Sequence, residues 1–399
     1  MPVKRTTNNT PMNKIILQSV FALLVCAGAN AQVNTGSTGS DGAFNPATST
    51  VVNMGDHPNG IYQYTSVNIP SSVTVTFIPN AANAPVTWLV QGDVTISGTV
   101  DVSGQSPNGN SAGKAGPGGY AGGVGGQFAS AGQGPGGGTN LSHSSSDGGG
   151  AYATGPLAYG NAFLIPLLGG SGGAGCLTYQ DIYGDILASG GGGGGGAILI
   201  AASGRINVNG SIYANGGTTV APRSTYSEGG GGSGGGIRLV AAQFSGTGNL
   251  SANGGYNNSF VAGPGRIRVD SYANTFAGTL SASVMLGSQF VIIPVAGSAA
   301  QLTIASMGGF PVSAPPTGLL TTPDAVLPAE AGNPINVVVN CTNLPLNTLI
   351  TVCVKPANGA PVSGVGYNTT GTPAASTASI PLTMPRGGGL IYATATSSN

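Results

Sequence analysis

Two histidines are the candidates for acid–base chemistry in this chain, and both stand in polar turns. His143 lies in the run Leu-Ser-His-Ser-Ser-Ser-Asp, which places hydroxyl groups and Asp147 beside an imidazole. The members of a Ser/His/Asp triad converge from separate, positioned elements, so neighbours in one polar loop are typical of solvated residues instead. His57 precedes Pro58 in a second turn. We therefore expect no catalytic residue at either histidine.

Metal and nucleotide sites need residue clusters that this sequence does not contain. No CxxC, HExxH or EF-hand spacing occurs, and Asp181 and Asp185 are separated by Gly184, which marks a turn. The glycine tract 190–196 runs into Ala and Ile without a Gly-Lys-Ser/Thr, so it does not match a phosphate-binding loop. We expect no metal, no cofactor and no enzymatic activity.

Arginines and tyrosines offer a binding chemistry. Arg238 and Arg268 each stand between two apolar residues in similar strands, so stacking of those strands would place both on one outer face. Such a face suits an acidic glycan through charge-assisted hydrogen bonds, and the alternative is a solubilising charge with Asp270 as partner. Tyr213 and Tyr256 fall in or near turns, where their rings suit stacking on sugars.

The first 31 residues have the pattern of a secretory signal peptide. A positive region, an apolar run and a small-x-small cleavage site follow one another: Lys4, Arg5 and Lys14, then 15–28, then Ala29-Asn30-Ala31. A membrane anchor is the weaker alternative, because a span needs about 20 apolar residues. Cys26 raises a lipoprotein alternative, but no small residue precedes it. The mature chain is predicted to begin at Gln32 and to be extracellular or on the cell surface, with the periplasm as the alternative.

Net charge limits the partners. Cleavage removes three of the 11 basic residues and leaves 8 against 11 acidic ones, a net charge near −3. This charge is too small to predict a nucleic-acid or membrane-surface partner. No second long apolar segment follows, so we expect no membrane span after cleavage. An extracellular polysaccharide or another surface protein is the expected partner.

Cysteines are consistent with an oxidising compartment. Cys341 and Cys353 flank a predicted hairpin of 335–341 and 349–355, and we predict a disulfide between them. Cys176 remains, either as a free thiol or as a small buried residue.

The composition predicts an all-β protein with a repeat. Glycine accounts for 72 of 399 residues and charged residues for only 6%. The motif Gly-x-(Val/Ile/Leu)-x-(Val/Ala) recurs at Gly98, Gly210, Gly248 and Gly278, and a second apolar strand precedes the last three copies. Stacked copies bury what one copy cannot, which favours a parallel β-solenoid over an antiparallel sandwich.

Stacking in register predicts which residues meet. Ile212, Leu250 and Leu280 should align inside, and Asn215 and Asn253 should align at a corner. Asn215-Gly216 and Asn253-Gly254 are also predicted to form tight turns with positive φ.

The glycine tracts predict a second kind of structure. In the segment 113–127, read as GKA GPG GYA GGV GGQ, glycine stands first in each triplet. A period of three fits a polyproline-II-type helix, whose glycine edge permits close packing. The alternative for this insert, 104–189, is a flexible linker. Aromatic residues such as Tyr120 and Phe128, which a linker does not need, favour packing.

Two further regions flank the solenoid, which we predict at 81–298. Residues 32–80 form an N-terminal β cap. Residues 299–399 contain five predicted strands between Pro- and Gly-marked turns, which is typical of an immunoglobulin-like β-sandwich.

The sequences GGGGGGAILIAASGRINVNGSIYANGG, GGGGSGGGIRLVAAQFSGTGNLSANGG and GPGRIRVDSY resemble secreted bacterial proteins with glycine-rich, pectin-lyase-like β-helical repeats, over about residues 80 to 285. The resemblance implies a right-handed parallel β-helix, some relatives of which are surface adhesins or polysaccharide-acting enzymes. It implies no catalytic residues, because none can be matched. We therefore predict a secreted structural or adhesive protein, with a carbohydrate-binding or polysaccharide-acting protein as the alternative.

Overall fold

A computed structural model of the protein describes residues 33–139, 148–155, 157–180, 186–219, 229–257, 260–288, 290, 300–313, 323–356 and 362–396. From Gln32 to Asn399 the chain forms one compact unit. The described residues contain β-strands, one 3-10 helix at Met54–Asp56 and no α-helix, and none of them forms a helix long and apolar enough to cross a membrane. Several predictions lie outside the described residues: the signal peptide 1–31 with Cys26, His143 and Asp147, and Asp181 with Asp185.

The N-terminal two thirds of the chain is built from short strands that pair in parallel. In chain order they are β1 (Ala43–Phe44), β2 (Thr50–Asn53), β3 (Ile61–Tyr64), β4 (Ser66–Ile69), β5 (Thr74–Ile78), β6 (Val86–Val90), β7 (Val94–Ile96), β8 (Thr99–Asp101), β9 (Tyr179–Gln180), β10 (Ile186–Leu187), β11 (Ala197–Val208), β12 (Ser211–Tyr213), β13 (Gly236–Ser245), β14 (Asn249–Ser251), β15 (Arg266–Asp270), β16 (Ala273–Asn274), β17 (Thr279–Ser281) and β18 (Ser283–Gly287). Only β9 and β10 form an antiparallel pair among them.

These strands form two parallel sheets with a common hydrophobic core. The first sheet has the main path β1-β4-β7-β11-β13-β15-β18, and the second has the order β17-β14-β12-β8-β5-β2. The predicted stacking is confirmed, because Ile212 pairs in register with Leu250 and Leu250 with Leu280. Trp88, in β6, is fully buried in the same core.

The N-terminal strands continue the two sheets. β1 and β2 are terminal strands, and β3, β4 and β5 pair in parallel with β6, β7 and β8. Met54, in the 3-10 helix, is buried in the shared core. The region that we predicted as a cap therefore extends the parallel stack at its N-terminal end.

The corner prediction is confirmed in one part and wrong in another. Asn215 Oδ1 accepts hydrogen bonds from the backbone N–H of Asn253 at 2.8 Å and from Ser251 Oγ at 2.7 Å, so the corner residues do stack. Gly216 and Gly254, however, do not have positive φ, so neither pair forms the predicted tight turn. Glycine is needed there for close approach, since a Cβ on Gly216 would lie 1.9 Å from the carbonyl oxygen of Gly232.

Beyond these corners, the glycine tracts form a bundle of extended segments, which we call the glycine bundle. Segment 190–196 lies inside it, and its N–H groups donate in three directions that repeat every three residues. Gly190, Gly193 and Gly196 donate to 102–109, Gly191 and Gly194 to 120–123, and Gly192 and Gly195 to 230–233. Its carbonyl groups accept from 113–116, 170–173 and Gly217. Three residues per turn without internal hydrogen bonds is typical of polyproline-II-type geometry. Counted together, the hydrogen-bond donors and acceptors give segment 190–196 six neighbouring segments.

Two other segments, 169–175 and 229–235, are surrounded in the same manner and contact the first. The three read GGGGGGG, GGSGGAG and GGGGSGG. A helix with neighbours on every side has no room for side chains. A Cβ on any residue of 190–196 would come within 2.0 to 2.6 Å of a neighbouring backbone atom. Complete enclosure therefore explains the nearly pure glycine tracts.

Segments at the edge of the glycine bundle follow the triplet rule. In 113–125 the first residue of each triplet faces the interior, where a Cβ would come within 2.0 to 2.7 Å of a backbone atom. Lys114, the second residue of its triplet, is exposed. The packing with a period of three, as expected for polyproline-II-type segments, is present in 113–125 and 169–175. Other described parts of the insert pack as the antiparallel pair β9–β10 and as a small core around Tyr152, so the linker alternative is wrong for them.

The C-terminal region consists of two antiparallel sheets packed on a second core. Its strands are β19 (Gln301–Met307), β20 (Phe310–Pro311), β21 (Ile335–Thr342), β22 (Leu349–Pro356), β23 (Val362–Tyr367), β24 (Thr370–Thr372), β25 (Ala375–Leu382) and β26 (Gly389–Thr396). One sheet has the order β20-β19-β21-β25-β24 and the other β23-β22-β26. All five predicted strands are present, at 302–304, 335–341, 349–355, 376–382 and 390–396. The immunoglobulin-like topology stays a prediction.

The predicted hairpin and disulfide in this region are wrong. β21 pairs with β19 and β25, whereas β22 pairs with β23 and β26, so the chain crosses from one sheet to the other between them. Cys341 and Cys353 consequently lie on different sheets, and neither forms a disulfide. Cys176 is a buried thiol in the glycine bundle.

Candidate functional surface at the loop end of the glycine bundle

Segments of the glycine bundle run alternately away from the two parallel sheets and back. Segment 190–196 returns directly into β11, while 214–219 leaves the end of β12 beside it. The chain turns back at the far end of the bundle after each outgoing segment. The outgoing segments end near Gly109, Gly126, Gly138, Cys176, Thr219 and Tyr256. Backbone hydrogen bonds tie these ends together, for example Gly190 N to Gly109 O and Thr219 N to Tyr256 O, both 2.9 Å. We call this end of the molecule the loop end.

Large apolar side chains are exposed at the loop end. Phe128, in the turn after Gly126, is 87% exposed, and Val261 is 74% exposed. Tyr256 and Phe260 are exposed in the same turn as Val261. The turn is closed by a bridge between Tyr256 and Val261, and Phe260 N donates to Asn257 Oδ1 at 2.8 Å. Exposed apolar side chains on a rigid, hydrogen-bonded support are typical of contact surfaces.

The structure separates the two predicted glycan-binding tyrosines. Tyr256 lies at the loop end with its side chain exposed. Tyr213 lies in β12, on the outer side of the second sheet, between Asp101 of β8 and Ser251 of β14. Its side chain is half-buried. Only Tyr256 therefore belongs to the loop-end surface.

Arg238 and Arg268 stack as predicted, but they do not form an exposed face. They are neighbours in register on β13 and β15, with exposures of only 1% and 3%. Arg268 donates two hydrogen bonds to Asp270, at 2.8 and 2.7 Å, and Arg238 Nη2 lies 3.6 Å from the same carboxylate. The Phe163 ring covers the Arg268 guanidinium, with its centroid 4.8 Å away. The expected outer face is wrong because the insert folds back over it.

This arginine cluster has a structural role in its observed state. Burial lowers the pKa of Arg238, and the carboxylate of Asp270 opposes that shift. A second contact joins the insert to this strand, because the guanidinium of Arg266 lies 4.9 Å from the ring centroid of the buried Tyr152. The cluster holds residues 152–163 of the insert against the first sheet, and no ligand reaches it without displacing that cover.

The candidate residue His57 has two close neighbours in the structure. His57 stacks on Tyr62 with centroids 4.2 Å apart, and its Nε2 lies 3.3 Å from Asp41 Oδ1. Both residues belong to the N-terminal end of the parallel stack. Within the described ranges, no group of three or more His, Cys, Asp or Glu residues is placed to hold a metal ion.

No family model matches the sequence, and no significant match was found among curated proteins or among solved structures. The resemblance to secreted glycine-rich β-helical proteins stays a prediction.

Sequence reasoning missed the loop end, although a signal was present. Phe128 and Phe260 stand in glycine-rich turns, where a large ring has no packing partner within its own segment. The aromatic residues of the insert predict packing, which holds for only some of them. Tyr152 and Leu164 indeed pack in a small core, whereas Phe128 is exposed.

Proposed function

We propose that this protein is a secreted, non-enzymatic adhesive protein whose loop end contacts an extracellular partner. One observation carries the proposal. The glycine bundle fixes a set of turns at one end of the molecule, and that end presents Phe128, Tyr256, Phe260 and Val261 to solvent. Burial of a ring or branched side chain at an interface contributes about 1.5–3 kcal/mol, so a few such contacts give useful affinity.

The support is well suited to adhesion because backbone hydrogen bonds of the glycine bundle join the described chain ends from which the turns project. The exposed side chains of Phe128, Phe260 and Val261 are available to a partner. Binding to such a surface loses little conformational entropy, because the backbone around the turns is already fixed.

We infer a finer architecture from the same facts. The two parallel sheets are two sides of a β-helical solenoid, and the corner turns and glycine bundle complete each coil. The C-terminal sheets form an immunoglobulin-like module.

Residues 1–31 are a signal peptide that exports the chain to the cell surface or the medium. Removal of 1–31 from the exported protein, observed by N-terminal sequencing, would support the last inference.

The test is binding of the mature chain, residues 32–399, to polysaccharides and to intact cells, with product release followed in the same samples. We expect saturable retention on one surface without product. The double variant Phe128→Ser, Val261→Ser should lose at least tenfold in affinity. Val365→Ser is the matched control, because Val365 is an equally apolar exposed residue on the C-terminal strand β23.

Two outcomes would contradict the proposal. Equal retention of the double variant and the control would place the binding surface elsewhere on the molecule. Turnover of a polymer that survives repurification and disappears on a point substitution would make the protein a polysaccharide-acting enzyme, the alternative drawn from the sequence.

A further inference from the structure

A large cavity opens on one side of the C-terminal sheets. Its volume is about 960 Å³, and its walls are mostly apolar. Leu302 and Ile304 of β19 line it from the five-stranded sheet, and Ile391 of β26 lines it from the three-stranded sheet. The segment 323–333 forms the opposite wall and includes Leu327. The cavity therefore lies where β19 of one sheet and β26 of the other face each other.

Backbone groups without strand partners border the cavity on two walls. β26 is the edge strand of its sheet, because it pairs only with β22 among the described strands. Across the cavity, the backbone groups of Ala325, Val326 and Leu327 make no hydrogen bond within the described part of the chain. An edge strand of eight residues presents N–H and C=O groups at every second residue along roughly 27 Å, at ~3.4 Å per residue.

Two residues of the glycine bundle also line the cavity. Tyr120 and Pro135 lie at the cavity wall, and Tyr392 Oη donates to Pro135 O at 3.4 Å. The side chain of Tyr392 therefore contacts the bundle, and the backbone of β26 makes hydrogen bonds only to β22 within the described part of the chain. None of the four exposed side chains of the loop end, Phe128, Tyr256, Phe260 and Val261, lines this cavity.

We propose that this cavity is a docking groove for an extended polypeptide segment of a partner protein, which adds to β26 as a further strand. Apolar side chains at alternate positions of that segment fill the space above Leu302 and Ile304. Its backbone pairs with β26. This is recognition by strand addition, in which the main chain supplies affinity and alternate pockets supply specificity.

The chemistry of the walls favours a peptide over a lipid or another apolar small molecule. An apolar ligand that filled the cavity would remove the edge of β26 from water without replacing its hydrogen bonds. Each buried, unpaired polar group costs about 1–3 kcal/mol. An extended peptide satisfies those groups and still buries apolar surface. Edge strands that carry no such cover are known sites of pairing between chains.

The experiment uses the full mature chain and fluorescent octapeptides flanked by lysine, with Thr at odd positions and a mixture of Val, Ile, Leu and Phe at even positions. Binding is followed by fluorescence anisotropy. Two further pools are N-methylated at alternate residues, one pool along each edge of the extended peptide. The methylated edge of each pool cannot donate hydrogen bonds to a strand. An anilinonaphthalene dye reports apolar binding alone. We expect saturable binding of the first pool and at least tenfold weaker binding of the methylated pool on one edge.

Two variants of β26 form a matched pair. Ala393 lines the cavity, whereas Ala395 stands two residues further along the same strand and does not. Ala393→Leu should fill part of the groove and weaken peptide binding at least tenfold, while Ala395→Leu should leave it unchanged. Thermal unfolding of both variants checks that the fold is intact. Unchanged peptide binding by Ala393→Leu, equal binding of the methylated pool on either edge, or binding of the dye without any peptide would each overturn the proposal.

Discussion

Enclosure of segment 190–196 predicts that a single methyl group inside the glycine bundle is severely destabilising. In Gly193→Ala the new Cβ would lie 2.0 Å from the carbonyl oxygen of Lys114. An unstrained contact needs about 3.5 Å, so the segments 111–117 and 190–196 have to separate by more than 1 Å. Other neighbours on all sides prevent the central segment from moving away.

The cost follows from the hydrogen bonds that this separation breaks. Gly113 N donates to Gly191 O at 2.9 Å, and Gly116 N donates to Gly194 O at 3.1 Å, on either side of the substituted residue. Lengthening by more than 1 Å takes both beyond hydrogen-bond range. At about 1–3 kcal/mol for each of the two broken hydrogen bonds, and with about 0.4–1 kcal/mol regained from the stiffer unfolded chain, we expect a net loss of about 1–5 kcal/mol.

Equilibrium denaturation in urea, followed by circular dichroism, measures this loss. Gly388→Ala is the control, because no heavy atom lies within 4 Å of a Cβ at Gly388 and its φ is not in the left-handed region. That substitution should change the free energy of unfolding by no more than about 1 kcal/mol. Lys114→Ala, on the exposed edge of the neighbouring segment, should also be nearly neutral. The reasoning fails if Gly193→Ala unfolds at the same urea concentration as Gly388→Ala.

Three further expectations concern buried polar groups. Asp270→Asn should lower the free energy of unfolding by about 3–5 kcal/mol, because it leaves two buried guanidinium groups without their carboxylate. Arg268→Met should lower it less, and chemical denaturation that ranks the two variants in the opposite order would contradict this. Ser233→Gly completes a pure glycine tract, yet it should destabilise the glycine bundle by about 1–3 kcal/mol, because Ser233 Oγ accepts a hydrogen bond from Ser171 N at 2.7 Å. The amide of Ser171 should then exchange its hydrogen faster, and an unchanged exchange rate would contradict this. Burial and two nearby carboxylates raise the pKa of Tyr62 to about 12, so the stability that its neutral form contributes is complete below pH 10 and is lost as the pH rises through 12. Tyr62→Phe should therefore lose less stability at alkaline pH than the parent protein, and identical alkaline unfolding of the two proteins would exclude this cause.

Periodic features were predictable from the sequence. The alignment of Ile212, Leu250 and Leu280 follows from a repeat whose copies keep the same internal spacing, and the inward glycines of 113–125 follow from a period of three. In both cases one local rule, applied copy after copy, fixes which residues face each other. These predictions needed no knowledge of which distant segments meet.

Features that depend on distant segments were not predictable. The burial of Arg238 and Arg268 is due to residues 152–163, which fold over them from a place about 75 to 115 residues earlier in the chain. Position in the bundle is likewise a long-range property. Gly216 looks like a turn glycine beside Asn215, and only the neighbouring Gly232 shows that close approach is the reason for it. The cross-over between β21 and β22 has no local signature either, since both strands read as a plausible hairpin.

The near absence of side chains inside the glycine bundle affects how stability varies with temperature. Exposure of apolar side chains on unfolding raises the heat capacity, whereas exposure of peptide groups lowers it. Segments 169–175, 190–196 and 229–235 bury almost only peptide groups and methylene hydrogens against their neighbours. Unfolding of this part should therefore contribute less than the usual 12–15 cal/mol/K or so per residue. The free energy of unfolding then follows a flatter curve, and the bundle loses less stability on cooling than a hydrocarbon core of equal size.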